Sequence, residues 1–269
     1  MIKAVFFDID GTLVSFKTHK LPDSTVRALD LLREKGIKVF IATGRQLQSI
    51  NNLGTQEFDG YVTLNGGYCL AGKDKVIYKH NIPSGDIEAL IRYQENEEAF
   101  PCALVEPYAT FTAKTVEEDG IYQNYVDDSV RQLYDMLDFP HPPLRPLRGN
   151  GGKEVYQLIA FFSPGHEERI MSVLPHCEAT RWNPLFADVV PRGSSKAVGI
   201  DKIIEYYGIS LHETMAFGDG GNDMAMLRHA GIGVAMGNAG DEVKEAADYV
   251  TDSVDDDGVM NALRHFDVI

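Results

Sequence analysis

The stretch Ala4-Val5-Phe6-Phe7-Asp8-Ile9-Asp10-Gly11-Thr12 decides the fold. Val5-Phe6-Phe7 is a short apolar run that halts on a carboxylate. A run without polar alternation reads as a strand buried on both faces, as parallel sheets require. The pattern returns at Lys38–Ala42, which halts at Thr43, and at 215–217, which halts at Gly218-Asp219. Ile232–Ala235 and Tyr249-Val250 are similar. Helical patterns lie between these runs. One starts at Asp23-Ser24, carries Val26, Leu29, Leu31 and Leu32, and stops at Gly36. A second covers 197–207 and ends at Gly208, and a third runs from Asn222-Asp223 to His229. Strand and helix in alternation predict an α/β fold with a doubly wound parallel-sheet core.

The middle of the chain has another texture. Ser84 opens a helix to about residue 97 that holds Ile87, Leu90, Ile91 and Tyr93. Extended runs follow at 103–105, 110–113, 155–162 and 179–182, with a helical pattern at 166–174 and a Pro/Gly-rich loop at 141–152. This predicts a small α+β domain at 83–186, inserted between core parts at 1–82 and 187–269.

The 269 residues carry a formal net charge of -15. Such a chain repels phosphate backbones and anionic lipid, so nucleic acid and membrane are excluded as partners. An anionic substrate then requires local positive charge, which a bound cation would supply. The three cysteines, Cys69, Cys102 and Cys177, have no metal-ligand spacing and read as core thiols of a reducing compartment. With no signal-peptide pattern at Met1 and no apolar stretch of membrane-spanning length, a cytoplasmic protein is expected.

Four segments carry chemistry. In Asp8-Ile9-Asp10-Gly11-Thr12, a turn straight after Asp8, permitted by Gly11, lets both carboxylates approach one reacting centre. Asp8 then serves as nucleophile and Asp10 as proton carrier. Thr43-Gly44-Arg45 offers a hydroxyl and backbone N–H groups to phosphoryl oxygens, though it also fits a simple helix cap. Lys196 opens a helix, where its charge opposes the helix dipole. Something else must hold it there, and neutralising a phosphate is one candidate. In Gly218-Asp219-Gly220-Gly221-Asn222-Asp223, the two carboxylates are hard ligands suited to Mg²⁺, and Asn222 can reach a phosphate oxygen. Three of these segments end predicted parallel strands, where open α/β sheets bind ligands.

The order of these motifs resembles the haloacid dehalogenase superfamily of phosphohydrolases. Asn65-Gly66-Gly67, the insertion after it, and 231–248 resemble its Cof-type sugar-phosphate phosphatases. The wording of the core, with Arg181-Trp182 and Phe186-Ala187-Asp188-Val189, is similar to bacterial hexose-phosphate phosphatases of that group. The resemblance implies an aspartyl-phosphate on Asp8 and acid/base work by Asp10. It implies phosphate binding by Thr43 and Lys196 with the Ile9 and Gly44 amides, and phosphate or substrate contact by Asn222. It also implies Mg²⁺ held by Asp8, the Asp10 carbonyl and Asp219, with Asp223 supporting.

Arg45, Arg181 and Trp182 are the candidates for selecting the leaving group, since Trp stacks on a sugar face and Arg forks onto hydroxyls or phosphate. A buried Trp beside a surface Arg fits the same residues. The expected partner is a small-molecule phosphate ester. A phosphotransferase or phosphomutase using the same intermediate, and a non-catalytic phosphate binder, are the competing readings.

Overall fold

A computed structural model of the chain describes residues 1–114, 117–118, 121–122, 135, 143–146, 153–181 and 186–269. It contains two compact units, Met1–Lys79 with Ser194–Ile269, and His80–Gly193.

The first unit is built on an eight-stranded sheet. Its strands are β1 (Ala4–Phe7), β2 (Lys38–Ala42), β3 (Gly60–Thr63), β4 (Tyr68–Ala71), β5 (Lys75–Lys79), β14 (Thr214–Gly218), β15 (Ile232–Ala235) and β16 (Tyr249–Val250). They lie in the order β16-β15-β14-β1-β2-β3-β4-β5. The pairings from β16 to β3 are parallel, and β4 and β5 add an antiparallel edge. The parallel α/β core expected from the sequence is therefore present, and β3, β4 and β5 extend it. Those three strands are short and lack a long apolar run, so no periodicity marks them.

β1 is buried along its whole length, as a strand between two parallel neighbours must be. Phe6 stacks on Phe40 with ring centroids 4.8 Å apart, and Phe7 stacks on Phe217 at 4.9 Å. Successive side chains of a strand face opposite sides, so these pairs seed a core on each face. The Phe6 side is closed by Ile200, Ile203 and Ile204 of a helix over Lys196–Tyr207 and by Met226 and Leu227 of a helix over Met224–His229. Helix α1 (Asp23–Glu34) packs on β2 and on the last helix, Gly258–His265.

The second unit has its own six-stranded sheet, in the order β10 (Leu144–Pro146), β7 (Ala109–Lys114), β6 (Cys102–Glu106), β11 (Gln157–Ala160), β13 (Ala187–Pro191), β12 (Cys177–Thr180), and a two-stranded ladder of β8 (Glu117–Glu118) with β9 (Ile121–Tyr122). Helix α2 (Ser84–Asn96) supplies Ile87, Leu90 and Tyr93 to its core, beside Phe100, Phe162 and Ile170. The unit ends at Gly193, not at 186 as the composition suggested. The reason is pairing: Ala187–Pro191 runs antiparallel to both β11 and β12, so this apolar run belongs to the inserted sheet. All three cysteines are buried free thiols. Among the described residues, no helix is long and apolar enough to cross a membrane.

Candidate active site

Parallel register gathers the motifs. Phe7 pairs with Ile41 on one side and Phe217 on the other, so Asp8 comes level with Ala42 and Gly218, one residue short of Thr43 and Asp219. The chain then turns at once. Leu13 and Val14 both donate N–H to the Ile9 carbonyl, Gly11 donates to Val14, and Gly11 adopts φ +86. A side chain at Gly11 would also overlap the Asp219 carboxylate and the Phe16 ring, so only glycine fits. Asp8 and Asp10 thereby project from one compact loop.

Lys196 answers the puzzle of a cation in the first turn of a helix. Ser195 caps that helix by accepting from the Val198 N–H. The Lys196 side chain is fully buried, and its Nζ lies 2.6 Å from Asp8 Oδ1 and 2.6 Å from Asp223 Oδ1. Two carboxylates outweigh the unfavourable dipole. Burial alone would lower the lysine's pKa, but Asp223 and Asp8 together hold it above the ordinary value. The other Asp223 oxygen accepts from the Asp219 and Gly220 amides, at 3.0 and 2.8 Å. Asp223 thus has both oxygens engaged, locking Lys196 and the Gly-rich loop together.

Asp219 accepts from the Thr12 hydroxyl at 2.9 Å through Oδ1 and from Asn238 Nδ2 at 3.2 Å through Oδ2. Burial, then repulsion from Asp8 and Asp223, pushes its carboxyl up to about 8. Burial raises Asp8 to about 7, with Asp223 and Asp10 adding repulsion against the pull of Lys196. Oxygens of Asp8, Asp219 and Asp223 lie within 4.8 Å of one another. Three carboxylates around one ammonium leave an excess of negative charge in a largely buried space. That imbalance and the all-oxygen donor set fit a hard divalent cation.

The second loop closes the cradle. Thr43 Oγ1 accepts from the Arg45 amide at 3.1 Å. Gly44 faces Asn65: a Cβ there would stand 3.2 Å from Asn65 Oδ1 and 3.6 Å from Asn222 Nδ2. Asn222 Nδ2 donates to Asn65 Oδ1 at 3.0 Å. Asn65 is buried in a left-handed conformation, φ 52 and ψ 36, between Leu64 at φ 53 and Gly66 at φ 89. The turn is forced by close packing, because a side chain at Gly66 would overlap the Ser195 carbonyl.

Two of the candidates for selecting the leaving group have partners within the protein. The Arg45 side chain is 8% exposed and grips Asp10. Arg181 is occupied within its own unit, by Glu167 at 2.6 Å, the Phe162 carbonyl at 2.9 Å and the Phe162 ring. Trp182, and most of the Pro/Gly-rich loop, lie outside the described residues. Sequence reasoning assigned no role to Thr12, Asn65 or Asn238, which hold Asp219 and Asn222. The available signal was their position in the motif-bearing loops, where a polar residue also passes for ordinary turn chemistry.

An open parallel sheet with paired carboxylates, a buried lysine and a Gly/Asp loop at its carboxyl edge defines a phosphoryl-handling hydrolase site. The haloacid dehalogenase-like hydrolase family matches residues 5–263, and the chain belongs to that family. It is similar to the subclass IIB sugar phosphatase BT4131, at 44% identity, with 99% of this chain and 100% of the other covered and a TM-score of 0.87. YkrA of Bacillus subtilis is 35% identical over 99% of this chain and 98% of its own. The 5-amino-6-(5-phospho-D-ribitylamino)uracil phosphatase YitU of Bacillus subtilis is 28% identical, covering 97% and 96%. Within its family the chain is an enzyme of the phosphatase kind, a phosphoric monoester hydrolase.

Proposed function

We propose that this phosphatase hydrolyses small sugar phosphates, hexose phosphates foremost, through an aspartyl-phosphate on Asp8. The observation that carries the reading is the Asp8 carboxylate at the end of the central strand, 2.6 Å from a fully buried Lys196 and within 4.8 Å of Asp219 and Asp223. Similarity to a sugar phosphatase at 44% identity supports the substrate class.

Asp8 and Asp219 would hold Mg²⁺, with Asp223 behind them, and the bound cation would neutralise the phosphate charge that these carboxylates otherwise repel. An Asp8 oxygen attacks phosphorus and the bond to the leaving oxygen breaks, while Asp10 gives that oxygen its proton. Asp10 then takes a proton from water, the water oxygen attacks phosphorus, and the bond from phosphorus to Asp8 breaks. Lys196 pulls Asp8 toward the anion needed for attack, and the bound cation would add to that pull. Thr43, Lys196, Asn222 and the Ile9 and Gly44 amides receive the phosphoryl oxygens.

A panel of phosphometabolites assayed for free phosphate tests this, alongside Asp8→Asn. Hexose phosphates should rank among the best substrates, release should need no added acceptor, and Asp8→Asn should abolish turnover and labelling by substrate. Turnover that survives Asp8→Asn, or that appears only with a sugar acceptor, overturns it.

A further inference from the structure

Asn238 follows β15 as an exposed residue beside buried Met236 and Ala239, yet its side chain makes three hydrogen bonds. Oδ1 accepts from the Val254 N–H at 3.0 Å. Nδ2 donates to the Gly11 carbonyl at 2.9 Å and to Asp219 Oδ2 at 3.2 Å. The Val254 N–H can only donate, so it fixes which end of the amide is oxygen and turns the nitrogen toward Gly11 and Asp219. The other Asp219 oxygen accepts from Thr12 at 2.9 Å. Each oxygen of Asp219 therefore receives one donor, from different loops, and the carboxylate plane cannot swing without breaking one of them. Each oxygen also keeps further lone-pair capacity.

The hold extends to the acidic turn behind Asn238. Asp255 accepts from Ser15 at 2.6 Å and pairs with Lys17 at 2.7 Å. Val254 and Asp255 thus grip both the amide that orients Asp219 and the loop that carries Asp8 and Asp10. Gly11 is packed against Asp219 so closely that a side chain there would overlap the carboxylate, and its carbonyl shares the Asn238 amide with that carboxylate.

We propose that Asn238 is a positioning residue that sets the orientation of Asp219 for a divalent cation and is itself set by the Val254 amide. This rests on the reading of Asp219 as a cation ligand. Groups that hydrogen-bond a ligating carboxylate typically raise metal affinity 10–100-fold. Because Asn238 is exposed, water replaces part of what its removal loses, and the lower end of that range applies.

The test is calorimetric titration of the chelator-stripped full chain with Mg²⁺ alone, for wild type and Asn238→Ala, with metal-free thermal midpoints measured beside it. Asn238→Ala should bind Mg²⁺ about tenfold more weakly, and its lost kcat should return as Mg²⁺ is raised. If Asn238→Ala is poorly folded, Asn238→Ser, which lacks the reach to both partners, serves the same comparison. An unchanged Mg²⁺ affinity with a lowered metal-free midpoint makes Asn238 a tether of the acidic turn and overturns the inference. If the wild type itself takes up no Mg²⁺, the reading of Asp219 as ligand fails first, and the two failures are told apart.

Discussion

Arg45 holds Asp10 with both arms of its fork, Nε to Oδ2 at 2.7 Å and Nη2 to Oδ1 at 2.5 Å, while Nη1 donates to the Ser49 carbonyl at 2.9 Å. Such a bidentate pair fixes the plane of the carboxylate as well as its place. Lysine cannot reproduce it. Arg45→Lys should lower kcat about tenfold or more through lost orientation of the proton carrier. The loss should be larger for an alkyl phosphate than for an aryl phosphate, whose leaving oxygen needs less protonation. Single-turnover rates with the two substrates check this, and equal losses would separate Arg45 from proton transfer.

Among the described residues Lys196 is the sole ammonium paired with both Asp8 and Asp223, and it is fully buried. Lys196→Met keeps much of the bulk but leaves buried carboxylates without their cation. Breaking a buried ion pair from one side costs about 3–5 kcal/mol. The variant should lose stability of that order in urea unfolding of the metal-free protein, and turnover with it. Asp223→Asn added to Lys196→Met should recover part of the stability. No loss in the single variant would mean that the lysine is easily relieved by water.

The metal-free protein should weaken as pH rises through neutrality. Asp8 stands at about 7 and Asp219 at about 8, both raised from the ordinary 3.8. Between the unfolded and folded values the folded chain binds more protons than the unfolded one, so stability falls with rising pH across that window. The contribution is fully present below the unfolded value and is lost as pH rises through about 7 and about 8, the folded values of the two groups. Mg²⁺ should reverse the trend, because its charge favours the ionised carboxylates. Thermal midpoints with chelator and with Mg²⁺ from about pH 5 to about pH 8.5 test it. A stabilisation by Mg²⁺ that does not grow with pH would count against these two groups.

Asn65→Gly separates strain from function. Glycine adopts the left-handed conformation of Asn65 without penalty, so the backbone gains or holds its stability. The amide that receives Asn222 is lost with the side chain. Inhibition by free phosphate should weaken about tenfold, a change of about 1.4 kcal/mol. A fall in stability with unchanged phosphate inhibition would make Asn65 a packing residue.

The contrast between what the sequence revealed and what it hid follows from range. Val5-Phe6-Phe7 before Asp8, and the Gly/Asp loop at 218–223, are local patterns that fix strand ends, and the sheet register did the rest. The partner chosen by a long polar side chain has no local signature. Nothing in Thr43-Gly44-Arg45 says that Arg45 will reach Asp10, and nothing around Asn238 says that it will reach Asp219. The end of the insertion was hidden for another reason. Ala187–Pro191 is apolar enough for either sheet, and only its antiparallel pairing with β11 and β12 assigns it.

β1 lies in the middle of its sheet with β14 beside it, and Asp8 meets Lys196 across 188 residues of sequence. On a growing polypeptide β1 therefore waits for every residue up to Thr214 to be synthesised before its neighbour β14 arrives. Until then its Phe7 face lacks the Phe217 ring and its carboxylate lacks a counter-charge. Nascent chains arrested before residue 214 would carry an unfinished sheet edge at the strand that leads into Asp8, where an unpaired edge invites misassembly during translation.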